Sequence, residues 1–336
     1  MTLSKRVCGP LVWTILFGLS ACGATPKRIN DDAGADGPVG GETADAGPVR
    51  SVTLLLPNSL SNVIYRYAIS ADADPMLTGM VDATRAAGGA MRKDGTLLVG
   101  AYEANARLFQ FTTPLTTFTA GPEITGLGLN FPQEMGFVDD ELWVVNSADH
   151  ACTAEPQAIT RVAFDAQGTA SVAGTITPGL IGANRGMLWV PGTRDLFVTQ
   201  CTPINTIQHL RVAQDHTVTA MPALTGHGID NAHGMVWTSW GELLVANFNA
   251  QNVLRLLVTE QGGVTASEPI TGNGLSSPVG MTFTPWGELF VINQGDASIS
   301  RFAFADDHSA VARGNFKANV PSVAGQYGVG WAVVAP

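Results

Sequence analysis

Residues 231–256 read NAHGMVWTSWGELLVANFNAQNVLRL, and residues 277–302 read SPVGMTFTPWGELFVINQGDASISRF. Placed over each other at a shift of 46 residues without a gap, the two stretches share Gly, Met, Thr, Trp, Gly, Glu, Leu, Val, Asn and Arg. The pattern recurs as RGMLWVPGTRDLFVTQ from Arg185, QEMGFVDDELWVVN from Gln133 and AGGAMRKDGTLLVGA from Ala87. Such internal repetition is typical of folds in which each copy forms one supersecondary unit.

Each copy predicts four short strands. Apolar runs of four to seven residues are bounded by Gly, Pro, Asn and Asp, which favours strands over helices. The leucine that opens the second strand recurs about every 47 residues, at Leu54, Leu97, Leu142, Leu196, Leu243 and Leu289. Four strands per repeat of this length indicate the blades of a β-propeller, and a β-solenoid is the competing repeat fold.

The ends of the repeat region give the number of blades. The sequence closes on YGVGWAVVAP, which has a first-strand pattern without a second strand, whereas SVTLLLPNSLSNVIYRYAI near residue 51 supplies later strands without a first. Together they complete one blade. We therefore predict an all-β, six-bladed propeller over residues 51–336, with four antiparallel strands per blade and one blade closed by both ends.

Residues 1–21 predict a secretion signal. Lys5 and Arg6 precede an apolar run that is too short to span a bilayer, and Leu-Ser-Ala-Cys follows, ending at Cys22. This run resembles the lipobox of bacterial lipoproteins, which implies a lipid on Cys22 and a membrane as partner; the alternative is cleavage near Ala21 by an ordinary signal peptidase. Residues 22–50 predict a disordered tether rich in Ala, Gly and Asp. By resemblance to enterobacterial lipoproteins, Gly23 after the Cys implies the outer membrane of the bacterial cell envelope, with the domain on its periplasmic or outer face.

Composition limits the partners of the folded region. The chain has 28 acidic and 18 basic residues, a net charge of −10, and no basic cluster. Nucleic acid is therefore excluded as a partner, and we expect a monomer that binds a small polar ligand or a protein. Cys152 and Cys201 remain as an even pair in an exported protein, which predicts a disulfide between neighbouring blades; two reduced thiols are the alternative.

Two columns of residues are expected to share one face of the propeller, its mouth. The inner strands start there and the second strands end there, because the two are antiparallel. Just before the recurrent glycine, the inner column includes polar residues at Gln133, Arg185, His233 and Tyr327. The second strands end on amides at Asn58, Asn146, Gln200, Asn247 and Asn293. These amides either line a ligand-binding funnel or cap turns through backbone hydrogen bonds.

Glu134 lies in a column that is glycine elsewhere: Gly88, Gly186, Gly234, Gly280 and Gly328. A carboxylate at this position is a candidate metal ligand or base. A local register shift, with Gly136 in the glycine position, is the alternative interpretation.

The blade pattern resembles the six-bladed propellers that include NHL repeat proteins, the senescence marker protein/gluconolactonase family and streptogramin lyases. The gluconolactonase resemblance implies a divalent cation such as calcium, with Glu134, Asn146 and Asn247 as ligands and His233 nearby. This sequence lacks the family's Glu before the glycine and its Asp ligand. In lyases His233 would match the first catalytic position, but Asn247 and Asn249 stand at the others and cannot abstract a proton. We therefore predict a non-catalytic binding propeller, with a metal-dependent hydrolase or lactonase as the alternative.

Overall fold

The computed structural model describes residues 51–112, 118–147, 158–200 and 204–317, and the backbone of residues 333–335. All of them fall within one compact unit, Thr43–Pro336. Their regular elements are β-strands, with no α-helix among the residues described. No helix in this part of the chain is therefore long and apolar enough to cross a membrane.

The strands form six sheets, numbered below as blades in chain order. Blade 1 contains β1 (Ser51–Asn58), β2 (Val63–Ser70), β3 (Met76–Asp82) and, innermost, β26 (Val333–Ala335). Blade 2 contains β4 (Ala86–Met91), β5 (Leu97–Ala101), β6 (Ala104–Thr112), β7 (Thr119–Ala120) and β8 (Ile124–Asn130). Blade 3 contains β9 (Pro132–Val138), β10 (Glu141–Asn146), β11 (Ile159–Phe164) and β12 (Ala170–Ile176).

Blade 4 contains β13 (Asn184–Val190), β14 (Asp195–Gln200), β15 (Thr206–Val212), β16 (Val218–Ala220) and β17 (Leu224–Thr225). Blade 5 contains β18 (Ala232–Trp237), β19 (Glu242–Asn247), β20 (Asn252–Val258) and β21 (Val264–Ile270). Blade 6 contains β22 (Pro278–Phe283), β23 (Leu289–Asn293), β24 (Ser298–Phe304) and β25 (Ala310–Lys317). All pairings are antiparallel, and in blades 2 and 4 two short strands share the outer position.

Burial explains why the second strands are continuous apolar runs. Strands β5, β14, β19 and β23 are buried along their whole length, because each is covered by a neighbouring blade on both faces. Outer strands such as β21 and β25 are mainly exposed, which explains their weaker apolar pattern.

The repeated Trp-Gly-Glu sequence forms the turn between the first two strands. In blade 6 Thr284 donates its N–H to the Glu288 carbonyl at 2.9 Å, and Gly287 donates to the Thr284 carbonyl at 2.9 Å. Gly287 has φ +82°, a left-handed conformation that glycine adopts without steric cost. Blade 5 has the same two bonds and a left-handed Gly241, so the sequence repeat is also a repeat of backbone geometry.

Hydrophobic clusters of the described residues join every pair of neighbouring blades. One of them packs Leu54 and Tyr67 of blade 1 against Phe290 and Ile292 of blade 6, which closes the ring. Full burial of a side chain such as Phe290 stabilises the fold by roughly 1.5–3 kcal/mol. Within blade 1, β26 pairs with Thr53–Leu55 of β1. The prediction of six blades, with one completed by both ends of the repeat region, is confirmed.

Candidate ligand-binding site

The amides that close the second strands tie down loops. Asn247 is fully buried; its Oδ1 accepts a hydrogen bond from the Asp230 N–H at 2.7 Å, and its Nδ2 donates to the Gly228 carbonyl at 2.9 Å. The Oδ1 atoms of Asn146 and Asn293 likewise accept a backbone N–H from the segment that leads into the inner strand of the same blade. Each amide thus holds in place the segment that leads into the inner strand of its own blade.

Asn58 and Gln200 act in a similar way. The Asn58 Oδ1 accepts the N–H groups of Leu60 and Ser61 at 3.0 and 2.9 Å, which caps the turn after β1. Gln200, with its amide oriented to suit its neighbours, accepts the N–H of Ile181 at 2.9 Å. All five amides are at most 5% exposed. These hydrogen bonds support turn capping, one of the two interpretations left open for the amide column.

A β-bulge marks the mouth end of each described inner strand of blades 2–6. In blade 3, Val145 pairs with Glu134 and Asn146 with Pro132, so that Gln133 is the extra residue. The same irregularity occurs in the other four blades. The column just before the glycine position falls in these bulges: Ala87, Gln133, Arg185, His233 and Val279. Bulges often re-aim side chains at functional sites, and three consecutive blades carry polar groups here.

Arg185 and His233 form the charged part of this column. They lie on adjacent inner strands and are only 1% and 5% exposed. Burial, and then the nearby Arg185 guanidinium, lower the pKa of His233 well below its usual 6.5. The imidazole is therefore neutral at pH 7, with one donor and one acceptor nitrogen. Its ring stacks on partly exposed Phe248, with centroids 5.0 Å apart.

Gln133 supplies an amide on the inner strand next to that of Arg185. Its Nε2 is buried and makes no hydrogen bond within the described part of the chain. A buried donor without a partner costs about 1–3 kcal/mol, so a ligand acceptor that reached it would gain that hydrogen bond.

Glu134 does stand in the glycine column. Strand pairing sets it opposite Val145 and sets Gly136 opposite Trp143, which contradicts the alternative of a register shift. Its Oε2 accepts the Met187 N–H of blade 4 at 2.5 Å. Burial raises the pKa of Glu134 to about 8, and the Met187 hydrogen bond opposes this only in part. The side chain is partly exposed and largely protonated at pH 7.

The residues proposed to bind a divalent cation do not fit one. The Oδ1 atoms of Asn146 and Asn247 already accept backbone hydrogen bonds, and Glu134 is bound to a backbone amide. No group of three His, Cys, Asp or Glu side chains within the described ranges is arranged to hold a metal ion. Calcium needs several oxygen ligands with negative charge among them. These hydrogen bonds therefore do not support the proposed ligand set of Glu134, Asn146 and Asn247.

Several predictions concern residues that lie outside those described. Tyr327, the last member of the inner column, is one of them, as are Cys22, Cys152 and Cys201. The lipid anchor and the disulfide stay predictions. The second strands of blades 3 and 4 precede Cys152 and Cys201 in the chain, and these two blades are neighbours in the ring.

Sequence reasoning missed the aromatic residues at the mouth. Phe248 and Tyr102 directly follow the second strands of blades 5 and 2, and Tyr102 meets the Phe131 ring edge-on with centroids 5.2 Å apart. Their position, one residue after the amide column, is the signal in the aligned repeats that could have identified them.

Comparison with known proteins supports the fold. No protein-family model and no curated protein matches the chain. The periplasmic gluconolactonase of Pseudomonas aeruginosa aligns with a TM-score of 0.62 at 13% identity, over 85% of this chain and 99% of that one. A candidate 6-phosphogluconolactonase of Bacteroides fragilis gives 0.63 at 11%, over 87% and 99%. These structural neighbours are lactonase-like propellers. Virginiamycin B lyase of Staphylococcus aureus gives 0.48 at 17%, over 70% and 71%. Identities this low establish fold and not activity.

Proposed function

We propose that this propeller binds a small anionic ligand at the mouth end of its inner strands, with Arg185 as the charged anchor. The observation that carries the proposal is the set of polar side chains on three consecutive bulges, Gln133, Arg185 and His233, with a guanidinium that is only 1% exposed. Ala87 and Val279 on the flanking blades give the column an apolar side.

The local electrostatics favour an anion even though the chain is acidic overall. His233 is neutral and can donate or accept a hydrogen bond without adding charge. Glu134, protonated below its pKa of about 8, does not repel an anion at pH 7. Arg185 is the charged member of this column at pH 7, and the planar array of donors on its guanidinium suits a carboxylate or phosphate. Gln133 adds a further donor.

Sugar acids are the first ligands to test, because they combine a carboxylate with many hydroxyls. The likeness to a protein named a periplasmic gluconolactonase supports this choice. Calorimetric titration of the mature protein with gluconate should show binding, whereas glucose, which lacks the charge, should bind at least tenfold more weakly.

Variants separate this proposal from general charge effects. Arg185→Lys keeps the charge and loses the planar fork, and His233→Gln keeps a neutral polar group; each should weaken gluconate binding about tenfold or more. Lys93→Gln removes an exposed charge and should bind like the wild type. A panel of gluconate, glucuronate and citrate that bound neither the wild type nor any variant would sink the proposal, as would equal binding by all four proteins.

Lactone hydrolysis is the second candidate, favoured by the titration of Glu134. As a carboxylate, Glu134 would take a proton from water while the water oxygen attacks the lactone carbonyl; the ring C–O bond then breaks, and the ring oxygen receives that proton. The rate of gluconolactone hydrolysis above the buffer rate should rise with pH through about 8 and be lost in Glu134→Gln. A rate that EDTA abolishes, or one that the variant retains, would exclude this mechanism.

We also propose that Cys22 is acylated and anchors the domain in the outer membrane. The support is the sequence alone: a short apolar segment, Leu-Ser-Ala before the Cys, and a tether of small residues. Cys22→Ala should shift the protein to the soluble fraction without changing its thermal unfolding. Persistence in salt-washed membranes would argue against an anchor at Cys22.

A further inference from the structure

An ion pair with a tryptophan beside it occurs at the turn end of the second strand in blades 5 and 6. In blade 6 the Glu288 carboxylate pairs with the Arg301 guanidinium through two contacts of 2.9 Å. The Trp286 Nε1 donates to Glu288 at 3.1 Å. In blade 5 Arg255 and Trp240 bind Glu242 in the same way. These are equivalent positions of the repeat, on the face opposite the mouth.

In blade 5 the tryptophan is covered by a histidine from the next blade. His308, in the turn between β24 and β25, stacks flat on Trp240, with ring centroids 4.6 Å apart and an interplanar angle of 7°. His216 occupies the equivalent turn of blade 4 and packs edge-on against Trp143 of blade 3. Its Nδ1 lies 3.3 Å from Glu141, the acid that starts β10. Two blade interfaces are thus completed by an imidazole.

Strand register identifies the matching position in blade 1. Phe302 pairs with Leu289 in blade 6, and Tyr67 pairs with Leu54 in blade 1. Counting six residues onward leads from Phe302 to His308 and from Tyr67 to Ala73. The turn of blade 1 that faces Trp286 therefore carries a methyl group where the turn that faces Trp240 carries an imidazole.

A cavity of about 630 Å³ occupies this place between blades 6 and 1. Its lining includes Trp286, Phe304, Arg301 and the turn that contains Ala73. Among the described residues no ring stacks on Trp286. A cavity volume of this size is usual for sites that bind small molecules. The cavity is large enough for a ring together with polar substituents.

The charges around the cavity are mixed. Glu288 and Arg301 neutralise each other, and the exposed residues Asp74 and Arg313 also contribute charges to the lining. The Asp74 carboxylate lies 3.8 Å from the Arg301 guanidinium. A ligand that stacked on Trp286 could thus place an ammonium or hydroxyl group against the Asp74 carboxylate and a carboxylate against Arg313.

We propose that this cavity is a second binding site, for a small planar nitrogen heterocycle with polar substituents, whose ring stacks on Trp286 as His308 stacks on Trp240. The site is distinct from the inner column and does not depend on the function proposed for it.

The test uses L-histidine and adenosine as probes and L-leucine as the control, because leucine carries the amino acid charges of histidine without a planar ring. Calorimetric titration of the mature protein should show millimolar or tighter binding of at least one heterocycle, and at least tenfold weaker binding of leucine. Trp286→Leu should weaken the bound heterocycle about tenfold, since one aromatic stack is lost. Trp189→Leu, which alters a tryptophan of blade 4, should leave binding unchanged.

Ala73→His gives an independent check, because the new ring would fill the site from within and should abolish heterocycle binding. Conversely, His308→Ala should expose the Trp240 ring for stacking. Imidazole should then raise the melting temperature of this variant more than it raises that of the wild type. The proposal is overturned if neither heterocycle binds the wild type at 10 mM, an order-of-magnitude ceiling for a weak stacking site. It is equally overturned if Trp286→Leu and the wild type bind alike.

Discussion

The free energy of unfolding of the wild-type protein should fall as the pH rises, because of Glu134. Replacing Glu134 by Gln should abolish this part of the pH dependence. The folded protein raises the pKa of this carboxyl from 4.5 to about 8, chiefly through burial. Below pH 4.5 the group is protonated in both the folded and the unfolded chain and has no effect. Between these two values the unfolded chain releases the proton and the folded chain keeps it, so the free energy of unfolding falls as pH increases.

The size of this effect follows from the two pKa values. A separation of about 3.5 units at about 1.36 kcal/mol per unit gives an upper limit of roughly 5 kcal/mol. Because the side chain retains some contact with water, we expect on the order of 3 kcal/mol. Gln keeps the shape of the protonated acid, and its carbonyl oxygen can still accept the Met187 N–H.

Urea unfolding followed by tryptophan fluorescence at pH 4.5, 6, 7 and 8.5 measures the difference. The variant should match the wild type at the lowest pH and exceed it increasingly toward pH 8.5. Glu268→Gln, at an exposed carboxyl on an outer strand, should follow the wild type throughout. Parallel curves for the wild type and Glu134→Gln would refute the raised pKa.

Three further predictions follow from the described geometry. Gly186→Ala should destabilise the protein by about 1–3 kcal/mol because its Cβ would meet the backbone of blade 5, whereas Gly192→Ala, with open space around it, should change the melting temperature little. Ser277 has φ +48°, so Ser277→Gly should raise the free energy of unfolding by up to about 1 kcal/mol, and an unchanged urea midpoint would contradict this. Mass spectrometry of the unreduced, alkylated protein should find Cys152 and Cys201 joined, and alkylation of both would show that they are free thiols.

The fold could be predicted because blade spacing and turn residues are local properties. A turn such as Trp-Gly-Glu fixes its own geometry, and a second strand that is apolar throughout must be covered on both faces. The position of Glu134 in the glycine column could also be predicted, because aligned repeats have the same strand register.

The site was harder to predict because residue type does not determine which groups are already bound. Asn247 looks the same in sequence whether its oxygen faces a ligand or the Asp230 N–H. Likewise Ala73 attracts no attention until the strand register shows that it matches His308 and that it lines the same cavity as Trp286. Side-chain contacts between separate blades form only when the blades close into a ring. The sequence of a single repeat therefore does not show which side chains remain accessible to a ligand.

The pairing of β1 with β26 gives the first blade an unusual place in the order of synthesis. Strands β1 to β3 are made before any other described strand, yet their inner partner, Val333–Ala335, is made after all of them. Until then β1 has an unpaired edge, and blades 2–6 can be assembled only as an open arc. Contacts between segments so distant in sequence form slowly, because a long chain must be closed first. Blade 1 is therefore the first to be synthesised and the last to be completed.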